Sequence, residues 1–178
     1  MDNSSTPFEE VRHQAAQELA RLGAAGRFQL VAAESCTGGL VAASLTAIPG
    51  ASQWFCGSSV VYQASSKFAW LDISKKLVDM YSAESAEVTT AMSRAILDLT
   101  SHANLSLATT GHLEPDSQRA NPSPYVFVSI SKRSGDMIES NAATEMPLSG
   151  VSRPERQQEA AAIAMQKLLD FLQALTSR

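Results

Sequence analysis

Ser35, Cys36 and Thr37 stand together in the run Glu34-Ser35-Cys36-Thr37-Gly38-Gly39, directly after the apolar residues Leu30, Val31, Ala32 and Ala33. A serine hydroxyl in such a place is a candidate nucleophile, but a weak one until a base takes its proton. Lys67 can act as that base if burial or neighbouring charge lowers its pKa. Tyr62 can orient the serine or relay the proton. The three histidines, His13, His102 and His112, are scattered, and none is well placed in the sequence to serve. Taken singly, the commoner roles are a solvated lysine and a half-buried strand tyrosine.

The turn has chemistry of its own. Gly38 and Gly39 let the backbone approach a ligand closely. An apolar, helix-like run follows from Leu40, and the first N–H groups of a helix lack internal partners and favour negative charge. An anion or a reaction oxyanion would be stabilised there. The plainer alternative is a capped helix start, with Ser35 or Thr37 as cap and the glycines only turning the chain. Cys36 is a second possible nucleophile, although a free cysteine more commonly packs as a small hydrophobe.

The elements that must position these residues follow from periodicity. Thr6-Pro7 opens a helix whose apolar positions are Phe8, Val11, Ala15, Leu19 and Leu22, ended by Gly23 and Gly26. Strands are expected at Leu30–Ala33, Cys56–Tyr62, Leu105–Thr109 and Tyr125–Ser131. A hairpin partner is expected over Met137–Met146. Short helices are expected after Gly39, at Lys67–Leu71 and at Lys75–Tyr81. Longer ones are expected at Ala86–His102 and Pro154–Leu175. Strands alternating with helices argue an α/β fold, a three-layer α/β/α sandwich, and the hairpin makes its sheet mixed. In such sheets strand-end residues from separate β–α units converge at one edge, which makes Ser35, Tyr62 and Thr110 neighbours.

Length and composition bound the rest. The chain has 178 residues, 44% of them hydrophobic, and a net charge of −4. One domain over residues 7–178, preceded by a disordered tail at 1–6, is expected. The acidic balance argues against non-specific nucleic-acid binding. No apolar run is long enough to span a bilayer, and no secretory signal pattern opens the chain, so a cytoplasmic location is expected. Two cysteines make no disulfide framework, and no metal-ligand spacing links them to the histidines. The P-loop lysine, the GxGxxG fingerprint and the GxSxG elbow are all lacking.

The stretch from Ala33 to Ser52, AESCTGGLVAASLTAIPGAS, resembles the signature of the CinA C-terminal domain family, best known for nicotinamide mononucleotide (NMN) deamidase. Phe55, Gly57, Val60, Tyr62, Lys67 and Leu71 also fall at family spacing. So do Ser85-Ala86-Glu87-Val88, Met92 and Ala108-Thr109-Thr110-Gly111. The resemblance implies hydrolysis of the NMN carboxamide to nicotinate mononucleotide and ammonia, in pyridine nucleotide salvage. Ser35 would be the nucleophile, with Tyr62 and Lys67 its activating partners. Backbone N–H groups in the turn formed by Cys36, Thr37, Gly38 and Gly39 would hold the oxyanion. Thr110 and Gly111 would line the nucleotide pocket, and Arg153, with Arg156, would hold the phosphate. No metal or other cofactor is implied. A mononucleotide substrate and a homo-oligomer are expected, with neither nucleic acid nor membrane as partner.

The chain departs from the family at its second glycine loop. The pattern TGIAGPGG is replaced by Thr110-Gly111-His112-Leu113-Glu114-Pro115-Asp116-Ser117. Glu114 and Asp116 would bring negative charge near a phosphate, unfavourably unless Arg119 or Arg153 compensates. A pocket altered in this way would take a different substrate, or bind nucleotide without turnover as a regulatory pseudoenzyme.

Overall fold

A computed structural model describes residues 6–117 and 119–176. The expected tail at 1–6 lies, apart from Thr6, outside the described residues. The elements are, in order, α1 (Pro7–Ala24), β1 (Leu30–Glu34), α2 (Leu40–Thr46), a 3-10 turn (Ala51–Gln53), β2 (Phe55–Val60), α3 (Ala64–Leu71), α4 (Lys75–Tyr81), α5 (Ala86–Leu99), β3 (Leu105–His112), β4 (Tyr125–Ser134), β5 (Met137–Ser140), β6 (Thr144–Pro147) and α6 (Arg153–Thr176). Thr6 caps α1 by accepting from Glu9 N at 3.2 Å, and Pro7 opens the helix.

The strands form one sheet in the order β2-β1-β3-β4-β5, with β6 also pairing β4. β1 lies parallel to both β2 and β3, and β4 runs antiparallel to β3. The sheet is therefore mixed, and helices cover both faces. On one face α1, α2 and α6 pack on Leu30 and Ala32 of β1, Leu105 and Leu107 of β3, and Val126, Val128 and Ile130 of β4. On the other, α3 and α5 pack on Val31 and Ala33 of β1 and Ala108 of β3. The alternation of side chains along a strand divides β1 between the two cores, which is why the whole strand is buried.

Several boundaries differ from the periodicity reading. β2 covers Phe55–Val60 and not Cys56–Tyr62, so Tyr62 follows the strand instead of ending it. α5 stops at Leu99, short of His102. β3 continues through Thr110 and Gly111 to His112, because Gly111 pairs with Val126 of β4. A Cβ at Gly111 would lie 2.2 Å from the Tyr125 carbonyl oxygen, so only glycine fits this pairing. The expected Met137–Met146 strand is two strands that share one edge of β4. β5 pairs Ser131–Ser134 and β6 pairs Tyr125–Val128. The polar Asn141 and the small residues after it make the break. Finally, α3 begins three residues before Lys67, which places that lysine inside the helix.

The chain leaves β1 for β2 through α2 on one face, then returns over the other face through α3–α5 to β3 on the opposite side of β1. This is the topological switch point of the sheet, where a crevice opens beyond the strand ends. Ser35 follows β1 directly, and β2 and β3 end beside it.

Candidate active site

Ser35 is fixed at the crevice by the ladder it continues. Its N–H donates to Thr109 O at 3.0 Å. The chain then turns through Gly38 and Gly39, whose φ values are 61° and 96°. Two consecutive residues in the left-handed region favour glycine strongly. Neither Ser35 nor Thr37 caps the helix that follows. The N-cap is Gly39, which has no side chain to offer.

Glu34 supplies the cap. Its side chain is buried and folds back under the start of α2. Oε2 accepts from Thr37 Oγ1 at 2.8 Å, Gly39 N at 3.0 Å and Val41 N at 3.1 Å. Oε1 accepts from Ala42 N and Ser58 Oγ, both at 3.0 Å. A carboxylate at a helix N-terminus is favoured by the unpaired N–H groups and by the dipole. The positive end of α2 is thus already occupied by an internal anion, and the idea that it receives a ligand's charge gives way.

Lys67 is fully buried. Its Nζ lies 3.2 Å from Ser35 Oγ and donates to Val61 O at 3.2 Å. Burial lowers the pKa of this ammonium from the ordinary lysine value, while the Glu84 carboxylate and Cys36 oppose the shift. Desolvation likewise pushes the Cys36 thiol up to about 12, only partly offset by its own N–H and that of Thr37. The thiol is therefore protonated at neutral pH and a poor nucleophile. Within the turn Gly38 N donates to Ser35 O and Leu40 N to Thr37 O. The N–H groups of Cys36 and Thr37 are left with no backbone acceptor among the described residues.

A cavity of about 250 Å³ opens over Ser35. Cys36, Tyr62, Glu84, Gly111, Glu114 and Arg153 are among the residues that line it. Tyr62 stands at the rim, 54% exposed, and its hydroxyl accepts from Arg153 Nη2 at 2.7 Å. The structure thus brings Ser35, Cys36, Lys67, Tyr62, Gly111 and Arg153 to one place. It turns others away. Thr37 is buried against Glu34 and Thr109. Gly38 packs on Gln157, which donates to Cys36 O at 3.2 Å, and Gly39 donates to Glu34. The Thr110 hydroxyl faces α5, 2.6 Å from that of Thr89. Arg156 donates to the carbonyls of Gly150, Leu113 and Val151, which ties the loop before α6 to the end of β3. Arg119 lies over the Tyr125 ring at 3.8 Å and pairs with Glu145 at 2.9 Å.

Glu34, Glu84, His112 and Leu113 are site residues outside the sequence reading, whereas Glu114, expected from the altered loop to lie near a phosphate, does line the cavity. For Glu34 a signal exists: a short helix opening at glycine lacks its own side-chain cap, and the nearest carboxylate is the one before the turn. Glu84 precedes α5 in a connection, where spacing carries no information.

The fold and site define a class: a mixed-sheet α/β/α domain with a buried lysine against a serine at the sheet's switch point. Known proteins narrow it. The CinA C-terminal domain family matches residues 12–172, and the chain belongs to that family. A CinA-like protein of Colwellia psychrerythraea is 35% identical over 149 residues, 84% of this chain and 33% of that protein. One from Desulfotalea psychrophila is 39% identical over 110 residues, 61% of this chain and 26% of its own length. The chain thus spans about a quarter to a third of these relatives. Among solved structures, a competence-damaged protein (CinA) superfamily protein of Klebsiella pneumoniae superposes with a TM-score of 0.80 at 26% identity, covering 92% of this chain and 98% of the other. The CihA protein of Agrobacterium tumefaciens superposes at 0.74 and 26% identity, covering 96% and 98%. Among the described residues no helix is long and apolar enough to cross a membrane.

Proposed function

We propose that the chain is an amidohydrolase that releases ammonia from the carboxamide of NMN or a related small pyridine amide. The observation that carries this reading is the buried Lys67 Nζ, 3.2 Å from Ser35 Oγ at the floor of the cavity. With Lys67 neutral, Ser35 donates its proton to the amine lone pair as Oγ attacks the carboxamide carbon. The N–H groups of Cys36 and Thr37, which have no backbone acceptor among the described residues, would serve as the oxyanion donors. Collapse expels ammonia, which takes its proton from Lys67. Water, activated by the same amine, then hydrolyses the ester to the acid and frees Ser35. Incubating the purified protein with NMN and assaying ammonia tests the reading. Folded protein that releases none from NMN or from nicotinamide riboside would sink it. Retention of a nucleotide without turnover would instead support the pseudoenzyme alternative.

The pH dependence follows from Lys67. The base must be neutral, so kcat/KM rises with pH through the lowered pKa of Lys67 and levels off above it. Glu84 favours the ammonium, so Glu84→Gln lowers that pKa further and moves the acid limb of the profile to lower pH. An unmoved limb would separate Glu84 from the lysine. Stability carries the matching sign. In the window between the lowered folded pKa and the ordinary lysine value, the unfolded chain binds more protons, so stability rises with pH there. Lys67→Met removes this dependence. It is expected to abolish turnover while leaving Tm at neutral pH equal to or above that of the parent, measured by thermal unfolding.

A further inference from the structure

The cavity rim carries an anion of its own. Glu114 Oε1 pairs with Arg153 Nη1 at 3.4 Å, and Oε2 pairs with Arg156 Nη1 at 3.1 Å. Its carboxylate bridges the two guanidinium groups, one on the cavity wall and one behind it. Arg156 otherwise donates to main-chain carbonyls. Glu114 is the carboxylate that pairs directly with its guanidinium, while Glu155 feels its charge through space. Arg153 has its remaining contact with the Tyr62 hydroxyl. A carboxylate set between two arginines stands where a phosphate would make its charge-assisted bonds. Glu84, a second carboxylate, also lines the cavity. A phosphate dianion entering this space meets both, whereas a cationic pyridinium ring meets favourable charge.

We propose that Glu114 is a specificity-determining residue: it fills the phosphate position as a built-in anion, so that the site prefers an unphosphorylated pyridinium nucleoside carboxamide over the mononucleotide. This rests on the amidohydrolase reading for the nature of the substrate, and on Glu114, Arg153 and Arg156 for the preference. Glu114 is half exposed, so replacing its charge leaves the fold intact.

Binding separates the two claims. Nicotinamide riboside and NMN are titrated calorimetrically into Ser35→Ala, which cannot turn them over, and into Ser35→Ala/Glu114→Gln. In the first, the riboside is expected to bind at least about tenfold more tightly than NMN. Glu114→Gln is expected to raise NMN affinity about tenfold and to change riboside affinity less than about threefold. Tighter binding of NMN to Ser35→Ala, an unchanged ratio on removing the charge, or no binding of either ligand overturns the proposal. In parallel, ammonia release from both compounds is measured with the parent and with Glu114→Gln. The expected binding preference with no ammonia from either compound would keep the role of Glu114 and remove the amidohydrolase reading. Ammonia release from NMN with the ratio indifferent to residue 114 would do the reverse.

Discussion

Ser35→Ala is expected to lower ammonia release by at least about 10³-fold in kcat/KM, because in the proposed mechanism it removes the atom that forms the covalent bond. Its effect on stability should be small. The lost hydroxyl touches Lys67, and that amine keeps its bond to Val61 O. A melting temperature within a few degrees of the parent, with activity gone, is the result that assigns the role. Cys36→Ala provides the contrast. Its thiol, held protonated by burial, has no part in the bond-forming step, so this variant should still release ammonia in the same assay. Activity that survives in Ser35→Ala but dies in Cys36→Ala would transfer the nucleophile to the sulfur.

The largest expected loss of stability lies one residue earlier. Glu34→Ala strips the acceptor from three backbone N–H groups and two hydroxyls at once. Hydrogen bonds to a charged group contribute about 1.5–3 kcal/mol each, and buried donors left unpaired cost more than exposed ones. These terms are not additive, and water can reach the Gly39 end. A net loss of about 4 kcal/mol is expected, roughly a 10 °C fall in Tm for a chain of this size. Glu34→Gln is the informative companion. All the partners of Oε2 are donors, so the amide nitrogen must take the Oε1 side. There Ser58 Oγ can reverse and accept, but Ala42 N cannot. One bond is lost rather than five, and the cost should be about 1–2 kcal/mol. Equal losses in the two variants, read by denaturant unfolding, would show that α2 is held by packing and not by this carboxylate.

The contrast between these two neighbours explains what the sequence could and could not disclose. Ser35 is legible because its meaning is local: a hydroxyl after an apolar strand and before glycines has few roles. Lys67 becomes legible with it only through strand order, since residues following parallel strands share an edge. Glu34 does its work through groups five to eight positions ahead, at a helix start with no cap of its own. Read along the chain it is one polar letter between a strand and a turn. Thr110 shows the opposite error. Its place at a strand end suggested a pocket residue, yet Gly111 extends the ladder and the alternation sends the hydroxyl to Thr89. A buried set of hydroxyls lies on that same side: Ser93 contacts both Ser129 and Ser131, and Ser106 donates to the Ser93 carbonyl. Thr89 and Ser93 are one helical turn apart, and Ser129 and Ser131 share a strand face. The same periods run through these hydroxyls, but a serine or threonine letter does not tell a buried face from a solvated one. Arg153 and Arg156 needed coordinates, because three positions on a helix decide between an open cavity and a set of carbonyls.

The serine and the lysine are delivered by different halves of the molecule. The turn after Ser35 is built on the layer of α1, α2 and α6, where Cys36 belongs to the core. Lys67 comes from α3, whose Leu71 is packed in the opposite core with Val61. The 3.2 Å between them is therefore a gauge of how the two layers are registered across the sheet. A substitution in either layer that slides α3 by an ångström takes Lys67 Nζ out of hydrogen-bond reach of Ser35 Oγ, which lies 3.2 Å away. Turnover should thus report small displacements of the layers well before thermal unfolding does, which would make the reaction a ruler for the interior.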